Sequence, residues 1–254
     1  MKKLGVFYAL NLLIVHVCLS YPDQDWLNKS SRHFTIHYEA SESAYIDELS
    51  SFCESEFDRG AEFFGLGSFS GKPHFAEYFA FSKSKISVYL HSNVTEQNYI
   101  LTRKQILKRT IDVQFQNQLE AIKQELQLKI AQIITGNMTA GPFSKRKKVL
   151  SRADPWFYYG AAYYFSPAIQ LNDFSETMDC KNPKSDLGRM KGVQAMLEGA
   201  KVFGFIESDY GAERMKNIFN LMIIVGNQKR AISGTLGIEY DEFLDNYCTS
   251  VRDI

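Results

Sequence analysis

The stretch with the most chemical potential is Gln124-Glu125-Leu126-Gln127-Leu128, followed further along by the aromatic run Trp156-Phe157-Tyr158-Tyr159-Gly160. On a helix, residues four apart stand on one face, so a pair of imidazoles at that spacing can grip one metal ion. A carboxylate beside the first of them can then take a proton from metal-bound water. Here Gln124 and Leu128 hold the spaced positions and Glu125 the adjacent one. Leucine cannot ligate a metal, and glutamine is a poor donor to a borderline-soft ion. Glu125 is thus the one acid-base group of the run. Two readings stand for it: a solvent-facing helix residue paired with Lys129 at i, i+4, or a carboxylate with a retained role in a cleft.

Other candidates are weaker. His33 and His37 share the i, i+4 spacing, but they lie in an alternating segment in which Phe34, Ile36 and Tyr38 form the opposite face. On a strand they stand about 13 Å apart, too far for one ion. Gly65 to Gly71-Lys72 is glycine-rich like a phosphate loop, yet its spacing is one residue too long and Pro73 stands where the metal-binding hydroxyl belongs, so it reads as a turn. Ser82 and Lys85 have the spacing of an acylating serine motif, but they fall between strands and not at a helix start. Lys145-Arg146-Lys147-Lys148 reads as a solvated loop.

The elements that must position Glu125 follow from periodicity. Residues 32–38, 75–81, 86–90 and 110–115 read as strands, the last at a sheet edge. A helix from Glu42 carries the stripe Tyr45, Leu49, Phe52, Cys53, Phe57 and Phe64. Apolar residues at helical spacing run from Leu119 through Ile134, predicting a helix over 116–134 that Gly136 stops. Pro155 opens a helix dense in aromatics. Three more amphipathic helices are expected at 189–203, 211–224 and 240–251, with 173–186 as the long polar connection. Trp156, Tyr158 and Tyr163 either pack in the core or line a groove, where tyrosine and tryptophan suit peptide or sugar.

Of the 254 residues, 45% are hydrophobic, enough for a well-buried core, and the formal net charge of zero gives no electrostatic footprint for nucleic acid. Lys2 and Lys3, the apolar run from Gly5 to Val17 and the small residue Ser20 form a secretory signal over residues 1–20, leaving a domain over 21–254 with no membrane span. Without Cys18, the odd set Cys53, Cys180 and Cys248 remains. Three thiols is the preferred expectation, since a chain of this size needs no staple; a Cys180–Cys248 bridge with Cys53 free is the alternative. Asn28, Asn93 and Asn137 begin glycosylation sequons.

Taken together, these segments resemble the gluzincin-like peptidases, in particular the compact "peptidase MA-like" domains of bacterial envelope proteins. Ser31 to Tyr38 looks like the family's first strand and Ile86 to Leu90 like its central strand. Gln124 to Leu128 falls where His-Glu-Leu-x-His is expected, and Trp156 to Tyr163 resembles Trp-x-x-Glu-Gly-x-Ala-x. Tyr210-Gly211 and Gly237 to Phe243 resemble the C-terminal helical signature. The resemblance implies an α+β, zincin-like fold with a mixed-sheet N-terminal lobe, an active-site-type helix and a mainly helical C-terminal lobe. It also places Gln124, Leu128 and Tyr159 at the three ligand positions and Glu125 at the general-base position, so zinc is expected to be lost and no residue is expected to be catalytic. The expected function is a secreted or periplasmic pseudopeptidase that binds a protein or peptide or serves as a structural module of the envelope. The alternatives are an active hydrolase with an unorthodox site and a glycan or cell-wall binding module.

Overall fold

The computed structural model describes residues 26–65, 85–92, 98–115, 118–139, 153–166 and 180–252. Among them, period-two alternation builds a four-stranded mixed sheet in the order β1-β2-β3-β4, from β1 (Leu27–Ser30), β2 (Phe34–Tyr38), β3 (Ile86–His91) and β4 (Thr110–Gln114). β1 runs antiparallel to β2, while β2, β3 and β4 are mutually parallel. Phe34 and Ile36, Ile86, Val88 and Leu90, and Ile111 and Val113 point to one buried face. The helices α1 (Ile46–Phe63) and α3 (Leu119–Met138) pack near that face, α1 against β2, α3 against β4, and each against the other.

The parallel neighbours need crossovers. β2 reaches β3 through a 3-10 helix (Ala40–Tyr45) and α1; β3 reaches β4 through α2 (Arg103–Lys108). Thr102 caps α2, its hydroxyl accepting from the Gln105 backbone N–H at 3.3 Å while the Gln105 side chain accepts from the Thr102 N–H at 2.8 Å. After α4 (Pro155–Phe165) the described chain is helical: α5 (Pro183–Arg189), α6 (Gly192–Tyr210), α7 (Ala212–Val225), α8 (Gln228–Leu236) and α9 (Tyr240–Arg252). Proline at the first turn of α4 costs no hydrogen bond, because that N–H has no helical partner. One continuous core joins the sheet to these helices. The architecture is α+β.

Several expectations change. The long helix does not stop at Gly136 but continues to Met138. A Cβ at Gly136 would lie 2.5 Å from a methyl of Ile106, so this glycine lets α2 approach and does not end α3. Tyr45, placed on the apolar stripe, is 41% exposed because the 3-10 turn rotates it out of register with α1. The expected strand at 75–81 lies outside the described residues. The preferred expectation of three thiols is overturned: Cys180 and Cys248 form a disulfide tying the chain just before α5 to α9, and Cys53 is a buried free thiol.

Candidate functional site

α3 turns three faces to three environments. Gln124 is exposed, and Leu128 is fully buried in the core. Glu125 and Lys129 are paired as expected, but they do not face solvent: their side chains are each 4% exposed and 2.5 Å apart. The correction has a physical cause, because this face of α3 lies against the sheet edge. Arg109 O and Phe115 N bond to β3, so by alternation the backbone groups of Thr110, Asp112 and Gln114 turn outward. The Asp112 carbonyl accepts from Lys129 Nζ at 2.6 Å. A buried ammonium is tolerated when paired and hydrogen-bonded, and Lys129 satisfies both conditions by bridging Glu125 to β4, the edge strand among the described residues.

The remaining ligand position, Tyr159, is also occupied by structure. Its hydroxyl donates to the Leu101 carbonyl at 2.5 Å, and burial, reinforced by Tyr158, pushes its phenol far above the usual range. Gln124, Glu125, Leu128 and Tyr159 therefore do not converge on an open site. The groove reading fails for Trp156 and Tyr158, which are 0% and 5% exposed, because α4 packs along α6. Tyr163 is half-buried against the same core. Gly160 explains how α4 and α6 come so near: a Cβ there would lie 2.4 Å from the Gly199 backbone.

A different constellation opens beside Glu125. A cavity of about 100 Å³ is lined by His91, Asn98, Gln105, Asp112, Glu125 and Lys129, with Ile100, Val113 and Gln114 completing the wall. His91 ends β3 and Asp112 is central in β4, so the cavity sits toward the C-terminal end of the parallel strands. His91 Nε2 and Asp112 Oδ1 are 3.0 Å apart, and Gln105 Nε2 donates to Asp112 Oδ2 at 2.9 Å. The His91 hydrogen bond, aided by Gln105 and the Lys129 charge and opposed by burial, holds the Asp112 carboxyl below the usual carboxylate range. His91 also ends a row of rings on the outer sheet face. Tyr89 stacks on His37 at 4.3 Å, and Trp26 meets Tyr89 and His91 edge-on at 5.8 and 5.3 Å.

His91, Gln105 and Asp112 escape the sequence reading, although two of them leave a signal. Asp112 alternates with Ile111 and Val113, and Gln105 completes the capping box of Thr102. His33 is held by Glu54, Nδ1 to Oε2 at 2.7 Å, and stays apart from His37, as strand spacing requires. His74, Asn93 and the basic run 145–148 lie outside the described residues. Among the described residues, no group of three His, Cys, Asp or Glu is placed to hold a metal ion, and no helix is long and apolar enough to cross a membrane. No family model matches the chain, and no curated protein or solved structure matches it.

Proposed function

We propose that the chain is a non-catalytic pseudopeptidase, secreted or periplasmic and zincin-like in build, that binds protein or peptide at the edge that β4 forms among the described residues. The observation that carries this reading is the Glu125–Lys129 pair, with both side chains 4% exposed. A carboxylate neutralised by a buried ammonium is not free to take a proton from water, and Glu125 is the only general-base position that the peptidase resemblance leaves. The leucine at 128 and the hydrogen-bonded tyrosine at 159 support loss of zinc by the same logic. The leader-like residues 1–20 and the Cys180–Cys248 bridge support an oxidising compartment. An edge strand with outward backbone groups is a ready template for an extended segment.

The test is to incubate the purified protein with a peptide library and analyse retained and released peptides by mass spectrometry. Retention of intact peptides supports the reading. Chelator-sensitive cleavage abolished by Glu125→Gln would overturn it in favour of an active hydrolase. A glycan-binding reading also has an observation in its favour, the ring row Trp26, His37, Tyr89 and His91, since flat aromatic faces suit sugar rings. Binding of soluble oligosaccharides that is lost in Tyr89→Ala would favour it.

A further inference from the structure

We infer that the cavity between β4, α2 and α3 receives the cationic head group of a basic side chain, a guanidinium in preference to an ammonium, presented by a peptide partner. The inference rests on the peptide-binding reading above and names the chemistry that the site selects.

Charge comes first. The cavity wall holds two carboxylates, Asp112 and Glu125, against one ammonium, Lys129. That ammonium is already committed to Glu125 Oε1 and the Asp112 carbonyl. Asp112 is left with the His91 imidazole and the Gln105 amide as its side-chain partners. An anion would meet this field unfavourably.

Hydrogen-bonding capacity points the same way. Each oxygen of Asp112 accepts one bond, from His91 or Gln105, and each has a second lone pair. If neutral His91 donates through Nε2 to Asp112, its Nδ1 becomes an acceptor. Asn98 and Gln114 add side-chain amides to the wall, and the Asn98 oxygen already accepts from the Ile100 N–H at 3.1 Å. The spare acceptor capacity of the Asp112 carboxylate complements a planar group that offers several N–H donors. The volume agrees as well: about 100 Å³ exceeds the share of a few waters and admits a head group of several heavy atoms. The ring row that ends at His91 continues outward from this wall and gives a surface for the apolar stem of such a side chain.

The experiment titrates the full chain with N-acetyl-arginine methylamide, its lysine counterpart and the neutral isostere N-acetyl-citrulline methylamide, followed by calorimetry or NMR. Saturable binding of the arginine probe is expected, tighter than the lysine probe and at least fivefold tighter than the citrulline probe. Asp112→Asn should weaken arginine binding about tenfold, as loss of one charge-assisted hydrogen bond implies. Its melting temperature should hold, because the Asp112 side chain is 45% exposed. Should that variant fold poorly, salt dependence in the unaltered protein is the second measurement, and arginine affinity must fall as ionic strength rises. Equal binding of arginine and citrulline probes, or arginine binding indifferent to both Asp112→Asn and salt, overturns the inference. If the library retains intact peptides with no enrichment in basic residues, the cavity assignment fails while the peptide-binding reading survives. If the arginine probe binds in an Asp112-dependent way and no peptide is retained, the cationic site stands and the peptide-binding reading falls.

Discussion

The crossing of α4 with α6 and the meeting of α3 with β4 close space by opposite means. At the first, backbone touches backbone: a Cβ on Gly199 would lie 2.0 Å from the Trp156 carbonyl oxygen, and Trp156 itself is fully buried. At the second, contact is made by charge, with Lys129 bridging Glu125 and the Asp112 carbonyl beside a polar cavity. Both regions carry the motif segments that resemble a peptidase. One has become pure packing, whereas the other keeps ionisable groups at an accessible edge. Packing needs only shape, while a buried charge is costly unless something is gained by it.

The comparison can be broken at several strengths. The largest effect should come from the covalent tie on the helical side. Reducing Cys180–Cys248, which are separated by 68 residues in sequence, should cost about 4 kcal/mol in the chain-entropy picture. Denaturant unfolding with and without reductant measures it, and unchanged midpoints would refute a structural role. Next, Gly199→Ala should cost about 3 kcal/mol by overpacking, because the obstructing atoms are backbone and cannot swing aside. A loss under about 1 kcal/mol would show that α4 and α6 adjust freely, and the packing half of the contrast would fail.

Lys129→Met should also cost about 3 kcal/mol, because it leaves Glu125 buried and unpaired. The double variant with Glu125→Leu should recover most of that loss, since well-packed apolar residues often replace a buried pair without penalty. A double variant as unstable as the single would mean that the pair is not the source of the cost. The smallest effect concerns Glu42. Burial is the main cause that raises its carboxyl above the ordinary glutamate value; the Glu39 backbone hydrogen bond opposes it. A raised folded pKa means that Glu42 contributes most at low pH and that this contribution is lost as pH rises from the ordinary value through the raised one. Glu42→Gln should therefore remove a decline in stability across that window, and an unchanged pH profile would contradict the assignment.

Much of the fold is legible in the sequence where one periodicity decides the outcome. Phe34 and Ile36, Ile86, Val88 and Leu90, and Ile111 and Val113 alternate, and all are buried on one face. β1 is not legible, because every residue from Leu27 to Ser30 is exposed and the strand is defined by its backbone pairing with β2. α8 is a short, mostly polar helix whose start is marked only by Asn227, which accepts from the Arg230 N–H. The candidate site was half legible. Spacing shows that Glu125 meets Lys129, but it does not show that their shared face lies against an edge strand. That fact depends on where α3 crosses β4, a tertiary choice that local pattern leaves open. The same gap hid His91 and Asp112, which neighbour each other only because β3 and β4 pair in register.

The proposed pseudopeptidase binds no zinc, and Glu125 is held by Lys129. The most direct measurement is metal analysis of the purified, disulfide-intact protein after incubation with excess zinc and exhaustive dialysis. Well under one zinc per chain is expected, with no change on Glu125→Gln. One zinc per chain that survives dialysis and is lost in Glu125→Gln would contradict the proposal.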